Sequence, residues 1–355
     1  MACNEDEQVG QPGDPSDLVV DLGISEGNTG TVTVNVSAVD AVEYQFIPGD
    51  DATNILTNTT GNFSYTYEAT GVYEVEIKAI GSNGRFLRQT QEITVQVGDP
   101  TGPIQGDNGY ITPLIYDGMT LVWQDEFNGS SLDESDWNYE IGTGSNGWGN
   151  NELQYYRREN TSVSDGFLTI EAREESFGGN NYTSSRLTTQ GKAEFLYGRI
   201  DIRAQLPEGQ GVWPALWMLG SNFASVGWPA CGEIDIMEMI GGGEGRDDTV
   251  HGTIHWDNNG TKADTGGKTQ LASGKFSDQF HVFTLQWDAD KINWYVNDRL
   301  YYSVDTTPAA LSEFRNEFFF IFNIAVGGNW PGSPNASTSF PQKMVVDYVR
   351  VFQKN

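Results

Sequence analysis

The chain is poor in cysteine, in cationic residues and in long apolar runs. Its 355 residues include two cysteines, Cys3 and Cys231, and 20 Lys and Arg against 49 Asp and Glu, which gives a formal net charge of −29. A surface of this sign repels phosphate backbones, so nucleic acid is not expected as a partner, whereas a neutral substrate is compatible with it. No stretch is long and apolar enough to span a membrane. We expect Cys231 to be a small buried thiol rather than half of a disulfide with Cys3.

Signals for long helices are also missing. No long amphipathic pattern is found, and 42 Gly and 13 Pro separate many short alternating apolar runs, which is typical of an all-β protein. The chain is too long for one ordinary core, which predicts two domains. All ten tryptophans lie between Trp123 and Trp330, so we expect the two domains to be built differently.

Composition predicts the domain boundaries. Residues 1–17 are polar and acidic, as in a flexible tail. Short alternating strands fill residues 18–97, which indicates a small immunoglobulin-like β-sandwich. Residues 98–113 are rich in Gly and Pro and are expected to form a linker. Residues 114–355 hold the larger second domain.

The first domain carries two weak motifs. Tyr-Gln-Phe at 44–46 precedes Gly-Asp-Asp at 49–51, and Tyr67 precedes Gly-Val-Tyr at 71–73. These residues resemble modules of the polycystic-kidney-disease (PKD) type. No row of exposed aromatic residues is evident, so we expect a spacer rather than a sugar-binding module.

The N-terminal residues bear on location. Met-Ala-Cys-Asn-Glu-Asp-Glu at 1–7 resembles the start of a mature bacterial lipoprotein, in which the cysteine carries the lipid and an acidic run follows it. The resemblance implies a lipid anchor through Cys3 and an extracellular or outer-membrane location. The alternative is a disordered acidic tail with an incidental cysteine. We expect a monomer.

One segment, Glu-Ile-Asp-Ile-Met-Glu at 233–238, indicates the chemistry. Side chains of a strand alternate faces, so Glu233 and Asp235 share a face and Glu238 falls on the other. A β-bulge with Met237 as the extra residue would return Glu238 to the first face. Buried unpaired carboxylates are costly for a fold, but a retaining glycosidase needs such a pair about 5–5.5 Å apart. The alternative is an edge strand with solvated acids, which the apolar flanks disfavour.

Residues 116–355 carry further motifs in a fixed order. They are Trp-Gln-Asp-Glu-Phe at 123–127, Gly-Asn-Asn-Glu-Leu-Gln-Tyr-Tyr at 149–156, Tyr-Thr-Ser-Ser-Arg at 182–186, Gly-Val-Trp-Pro-Ala-Leu-Trp-Met at 211–218, His-Gly-Thr-Ile-His-Trp at 251–256 and Asp-Tyr-Val-Arg-Val at 347–351. With the carboxylate segment, they resemble family 16 glycoside hydrolases, specifically endo-β-1,3-glucanases (laminarinases). The resemblance implies an all-β, concanavalin A-like jelly-roll sandwich with an open cleft on its concave face.

By position, the resemblance implies a role for each carboxylate. Glu233 matches the nucleophile, Asp235 the supporting acid and Glu238 the general acid/base. An ionised Glu233 would raise the pKa of Glu238, so that Glu238 keeps the proton that the leaving oxygen needs. Asp235 is expected to hydrogen-bond Glu233 and to hold its rotamer.

Other residues are candidates for sugar binding. Sites for sugars combine aromatic platforms with polar side chains. Arg186 has a structural ion pair as its alternative, and His255 a structural role. We expect Trp148 in the cleft as well, whereas Trp123, Trp287 and Trp294 lie in apolar strands that predict core packing. The residues assigned to substrate binding are Asn150, Glu152, Arg186, Trp213, Trp217, His255, Trp256 and Trp330.

No cofactor is expected for catalysis. The resemblance implies one structural Ca²⁺, held by Glu126, the backbone carbonyl of Gly166 and Asp347. Oxygen ligands suit calcium, although a Glu and an Asp are also ordinary surface residues. No Cys/His spacing suggests zinc.

The sequence therefore predicts a retaining endo-hydrolase of β-1,3-glucan, a polysaccharide of the laminarin type. A mixed-linkage β-1,3-1,4-glucanase or an algal galactanase of the same family is the first alternative. A non-catalytic β-glucan-binding protein is the second, and the presence of all three acids argues against it. A transglycosylase is the third, because a sugar can intercept the covalent intermediate in place of water.

Overall fold

A computed structural model describes residues 13–24, 30–50, 54–67, 71–95, 109–243 and 245–355. Cys3, most of the predicted tail and most of the predicted linker lie outside the described residues. The chain divides into two compact units, Met1–Asp107 and Asn108–Asn355. Their boundary falls within the segment 98–113 that the sequence assigns to the linker.

The described part of the first unit consists of two small antiparallel sheets. One has the order β1-β2-β5 and the other β4-β3-β6-β7. Alternate residues such as Val32, Val34 and Phe46 are fully buried in a core that both sheets share, as their spacing predicts. The strands are β1 Ser16–Ile24, β2 Thr31–Val39, β3 Ala41–Ile47, β4 Leu56–Asn58, β5 Asn62–Thr66, β6 Gly71–Gly81 and β7 Phe86–Val95.

The second unit is a sandwich of two larger sheets, which confirms the all-β prediction. We call the first the back sheet; its order is β10-β13-β12-β25-β16-β21-β22-β23, with β11 on β12 and β8 on β25. Its strands are β8 Met119–Asp125, β10 Gln154–Tyr156, β11 Thr161–Ser164, β12 Phe167–Phe177, β13 Asn180–Ser184, β16 Gly198–Gln205, β21 His281–Trp287, β22 Lys291–Val296, β23 Arg299–Asp305 and β25 Gln342–Lys354.

We call the second the cleft sheet, because its outer face forms the floor of a cleft. Its order is β20-β19-β18-β17-β24-β14-β9, with β15 on β24. Its strands are β9 Asn138–Glu140, β14 Arg186–Thr188, β15 Glu194–Phe195, β17 Val212–Gly220, β18 Glu233–Glu238, β19 Thr249–Asp257, β20 Lys262–Gln270 and β24 Phe318–Val326.

Strand β24 shows how the sequence positions the core and the cleft. All nine of its residues are buried, as expected for a central strand that is apolar on both faces. Phe318, Phe320 and Phe322 belong to the core between the sheets. Asn323 and Ala325, on the alternate face, line the cleft. The period of two thus separates core residues from cleft residues along one strand.

Helical structure in the described part is confined to short segments. They are α1 Phe223–Val226, a π-helical turn at Gly147–Asn151 and two 3-10 turns at Arg158–Asn160 and Ala309–Arg315. None of the described helices has the length and apolar character that crossing a membrane would require.

The segment that begins at Gly109 packs on the outer face of the back sheet. Thr112 is fully buried, and its backbone N–H and hydroxyl lie 2.9 and 2.8 Å from the hydroxyl of Tyr348. Arg203 donates to the carbonyl of Tyr110, and Arg350 donates to that of Thr112. These residues, which the sequence assigns to the linker, are therefore part of the second unit.

Candidate active site

The outer face of the cleft sheet forms the floor of a cleft with a volume of about 740 Å³. Strand β18 crosses this floor between β17 and β19. Glu233, Asp235 and Glu238 line the cleft, whereas Ile234, Ile236 and Met237 are buried in the core between the sheets. Three carboxylates therefore share one face, as the sequence predicts.

A β-bulge produces this arrangement. Asp235 pairs with Thr253 and Glu238 pairs with His251 on β19, so that two residues of β18 face Gly252 alone. On the other side, Met237 pairs with Leu216 and Asp235 pairs with Trp217. The residue without a partner on β17 is Ile236, so the prediction that Met237 is the extra residue was wrong. The sequence could not distinguish the two, because both are apolar and both face the core.

His255 lies beside two of the carboxylates. Its Nε2 atom is 3.2 Å from Oδ2 of Asp235 and 3.5 Å from Oε1 of Glu233. A direct hydrogen bond from Asp235 to Glu233 was expected, but Oδ2 of Asp235 is buried without a hydrogen-bond partner among the described residues, and the imidazole of His255 lies close to both side chains. The third carboxylate has its own partner, because the indole N–H of Trp213 donates to Oε1 of Glu238 at 3.0 Å.

The environment of the carboxylates favours their protonated forms. Burial raises the pKa of Glu233, Asp235 and Glu238, each to about 8. The charge of Asp235 further raises the pKa of both glutamates, while His255 lowers that of Glu233 and the N–H of Trp213 lowers that of Glu238. Because the three groups interact, they release their protons as a set. An ionised carboxylate and a protonated one can therefore lie side by side at neutral pH.

Aromatic side chains form the walls beside the carboxylates. The guanidinium of Arg186 lies between two indoles, 4.4 Å from the ring of Trp148 and 4.8 Å from that of Trp217. Trp213 and Trp330 meet edge to face with ring centroids 5.6 Å apart. Such surfaces can stack on the apolar C–H faces of sugar rings.

Polar side chains occupy the part of the cleft beyond Arg186. Glu152 accepts hydrogen bonds from Asn150 at 3.1 Å, from Gln154 at 2.7 Å and from the hydroxyl of Tyr156 at 3.2 Å. Arg186 pairs with Glu140. The alternative role of Arg186 as an ion-pair partner and its place in the cleft are thus both observed.

The comparisons with known proteins match this geometry. The model of glycosyl hydrolases family 16 matches residues 149–350, which is more than half of the chain. This protein belongs to glycosyl hydrolase family 16. A second model, for the beta-glucan synthesis-associated protein SKN1/KRE6/Sbg1, matches residues 63–234.

Relatives of this family 16 hydrolase differ in length. A beta-glucanase of Rhodothermus marinus is 45% identical over 254 residues, which cover 66% of this chain and 85% of the relative. The clotting factor G alpha subunit of Tachypleus tridentatus is 44% identical over 236 residues, which cover 66% of this chain but only 34% of that protein. The solved catalytic domain of an endo-1,3-beta-glucanase (laminarinase) from Thermotoga petrophila RKU-1 is 46% identical, with a TM-score of 0.62 and coverage of 67% of this chain and 98% of that chain.

Most of the predicted substrate-binding residues line the cleft of this hydrolase. Trp148 also lines the cleft, while Trp287 and Trp294 are buried in the core as predicted. Trp256 is the exception, since it packs against the core and is not among the cleft residues. It follows His255 on a strand, and because His255 faces the cleft, Trp256 faces away from it. The residues that do line the cleft are Asn150, Glu152, Arg186, Trp213, Trp217, His255 and Trp330.

One prominent cleft residue was missed. Trp228 lines the cleft, is 45% exposed, and has the ammonium of Lys262 5.2 Å from its ring centroid. It follows Gly227 and precedes Pro229, five positions before Glu233. A tryptophan in such a loop, close to the carboxylate strand, was the signal that could have identified it.

The predicted calcium ligands do not fit a calcium site in this hydrolase. Both carboxylate oxygens of Glu126 accept hydrogen bonds from Arg350, at 2.7 and 2.8 Å. Asp347 accepts one from Arg203 at 2.6 Å, and Gly166 lies in the turn between β11 and β12. Calcium takes six to eight oxygen ligands, whereas these carboxylates are bound by guanidinium groups. We assign no role to the metal.

Among the described residues, one group of three side chains has the spacing of metal ligands. Its members are Glu233, Asp235 and His255, whose donor atoms all lie within 4.8 Å of one another. The same three side chains belong to the carboxylate site on the cleft floor.

Proposed function

We propose that this family 16 enzyme is a retaining endo-hydrolase of β-1,3-glucan. The observation that carries the proposal is the bulge in β18, which puts Glu238 on the cleft face together with Glu233 and Asp235. The similarity to the laminarinase of Thermotoga petrophila supports the choice of β-1,3-glucan.

The first step of the proposed mechanism forms a covalent intermediate. The carboxylate of Glu233 attacks the anomeric carbon and forms a glycosyl ester as the bond to the leaving oxygen breaks. The carboxyl of Glu238 gives its proton to that oxygen, so the leaving chain departs as a neutral alcohol. The indole N–H of Trp213, bonded to Oε1 of Glu238, orients this carboxyl towards the cleft.

The second step releases the sugar. Glu238, now ionised, removes a proton from water, and the water oxygen attacks the anomeric carbon. The ester bond to Glu233 breaks and returns its electron pair to the carboxylate. Two inversions restore the original anomeric configuration. His255, within 3.5 Å of Glu233 and 3.2 Å of Asp235, holds both side chains in place.

We propose that the side chains in the walls of the cleft recognise the substrate. Trp213, Trp217 and Trp330 supply apolar platforms for the sugar rings, and Asn150 and Glu152 supply hydrogen-bonding groups for hydroxyls. We propose that the first unit is a spacer of the PKD type, since the residues that line the cleft all belong to the second unit.

The charge of the cleft argues against a sulfated galactan. Its described lining includes six acidic side chains but only two that are permanently cationic, Arg186 and Lys262. Arg186 is paired with Glu140, and Lys262 lies 3.9 Å from Asp264. A neutral glucan is compatible with this lining, whereas an anionic polymer would be repelled.

The product profile tests the proposal. Laminarin, mixed-linkage β-1,3-1,4-glucan and agarose are each incubated with the wild type and with Glu233→Ser. Oligosaccharides from laminarin, absent with the variant, are expected. Release of oligosaccharides from agarose alone would mean that the substrate is a galactan and not β-1,3-glucan. No release from any of the three, combined with binding to laminarin, would favour a non-catalytic binding protein, and long transfer products would favour a transglycosylase.

A further inference from the structure

The bulge in β18 decides where Glu238 points. In a regular strand, Glu238 would alternate away from Glu233 and Asp235 and would enter the core. A bulge interrupts the ladder of hydrogen bonds locally and leaves backbone groups that need other partners. The interruption lies between Asp235, which pairs with Thr253, and Glu238, which pairs with His251.

A tryptophan from the opposite sheet reaches this point. Trp294 lies on β22 of the back sheet and is fully buried. Its indole N–H donates a 2.8 Å hydrogen bond to the backbone carbonyl of Asp235, the last residue before the register shifts. The bond crosses the interior of the sandwich, where a lost partner leaves a buried carbonyl unsatisfied.

The strand opposite the bulge leaves room for this indole. Gly252 lies between His251 and Thr253 and faces both Ile236 and Met237 of β18. A Cβ atom at Gly252 would lie 2.4 Å from Cδ1 and 2.7 Å from Nε1 of Trp294. No side chain other than hydrogen fits there while the indole keeps its place.

We propose that Trp294 is a positioning residue, which fixes the bulge through the carbonyl of Asp235 and thereby holds Glu238 on the cleft face. This inference rests on the proposed role of Glu238 as general acid/base. Trp294 itself does not line the cleft, so its effect on the reaction acts through the backbone of β18. Without its N–H, the bulge can shift and the carboxyl of Glu238 moves relative to the leaving oxygen.

The test compares two substrates that need the proton of Glu238 to different degrees. Phenyl β-laminaribioside has a poor leaving group, whereas the 2,4-dinitrophenyl analogue loses its aryl group as a stable anion without protonation. For Trp294→Phe, which keeps an aromatic ring but removes the N–H, we expect kcat/KM to fall at least about tenfold on the phenyl glycoside. On the dinitrophenyl glycoside, kcat/KM should fall less than about twofold, and azide should raise kcat.

Trp287→Phe is the matched control. Trp287 also lies on the back sheet, is 2% exposed, and donates its indole N–H to a backbone carbonyl, that of Phe314, at 3.0 Å. Its replacement removes the same kind of hydrogen bond, but one whose acceptor is the carbonyl of Phe314 rather than the backbone of β18. We expect thermal stability to fall in both variants, but the ratio of kcat/KM for the two substrates should change only in Trp294→Phe.

Equal losses of kcat/KM on the two substrates would overturn the positioning role. The same ratio of kcat/KM for the two substrates in Trp294→Phe and Trp287→Phe would also overturn it, and would mean that Trp294 only packs in the core. If Trp294→Phe does not fold, Gly252→Ala in a Tyr301→Phe background provides the test. The methyl group would lie 2.4 Å from Cδ1 of Trp294, and the background change removes the Tyr301 hydroxyl that would lie 2.6 Å away. The same change of ratio relative to Tyr301→Phe alone is expected, and its absence overturns the proposal. A wild-type enzyme that cleaves neither aryl glycoside nor laminarin would refute the proposed function and, with it, this inference.

Discussion

The two sheets of the second unit both bury charged side chains, but the partners of those side chains differ. On the back sheet, Arg199 lies 2.9 Å from Asp201 and 2.6 Å from Asp298. Arg350 donates two hydrogen bonds to the carboxylate of Glu126. On the cleft sheet, the described ion-pair partner of Glu233 and Asp235 is His255 alone. Paired charges hold the back sheet together, whereas Glu233, Asp235 and Glu238 on β18 have no Arg or Lys as a described ion-pair partner.

This difference separates structural charges from reactive ones. A buried Arg–Asp pair stays ionised because each charge replaces the water that the other has lost. A buried carboxylate without such a partner responds by a rise of its pKa, as Glu233, Asp235 and Glu238 do. Protons can therefore be exchanged at these three carboxylates near neutral pH.

The largest effect is expected from removing a carboxylate of β18. Glu233→Ser deletes the proposed nucleophile, so turnover of laminarin should fall by about 10⁴-fold or more. The affinity for laminarin oligosaccharides, measured by calorimetry, should stay close to that of the wild type. Turnover within tenfold of the wild type would remove Glu233 from the mechanism.

A large effect of a different kind is expected from breaking a pair on the back sheet. Arg199→Met leaves Asp201 buried without its cation, and the free energy of unfolding should fall by about 3–5 kcal/mol in urea titrations. Activity per folded molecule, measured well below the unfolding transition, should not change. Lys275→Met, which breaks the exposed pair with Glu208, is the control and should alter stability little. A selective loss of activity in Arg199→Met would break the proposed division between the sheets.

A smaller effect, of opposite sign, is expected from neutralising a cleft carboxylate. The pKa of Glu238 is raised to about 8 in the fold, so the folded state binds more protons than the unfolded chain between pH 4.5, the ordinary value, and about pH 8. Stability is therefore lost as the pH rises through this window. Glu238→Gln removes that loss and should raise the unfolding free energy by about 1–2 kcal/mol at alkaline pH and hardly at all in acid. An equal or lower stability at alkaline pH would contradict the raised pKa of this carboxyl.

The smallest effect is expected from removing the first unit. Deletion of residues 1–107 should change the specific activity on laminarin by less than about twofold. Deletion of residues 1–113 should in addition lower the melting temperature, because Tyr110 and Thr112 supply the carbonyls to which Arg203 and Arg350 donate. A large loss of activity in the shorter deletion would mean that the first unit contributes to catalysis.

Local periodicity was enough to predict much of the cleft sheet. The alternation around Glu233 and Asp235 predicts which side chains share a face, and the apolar run at β24 predicts a central strand. The same rule would have corrected one assignment, because Trp256 follows His255 and the two cannot face the same side of a regular strand. Its predicted place in the cleft came from the residues around it rather than from the period of the strand.

Contacts between distant segments were beyond the sequence. The burial of Trp294 was predicted, but its hydrogen bond to Asp235, 59 positions away, depends on how the two sheets pack. The calcium prediction finds no support for the same reason, since neither Glu126 nor Asp347 reveals from its neighbours in the chain that an arginine will bind it. Trp228 was missed because a loop, unlike a strand, has no period from which its direction follows.

The proposed mechanism requires Glu233 and Glu238 of the cleft sheet to carry out a two-step displacement. Proton NMR during the first minutes of hydrolysis of a reduced laminarin oligosaccharide tests it directly, because the first-formed anomer is visible before mutarotation. The β-anomer is expected to appear first, since Glu233 forms a glycosyl ester that water then opens. Initial release of the α-anomer would mean that water attacks directly, and would contradict the assignment of Glu233 as nucleophile.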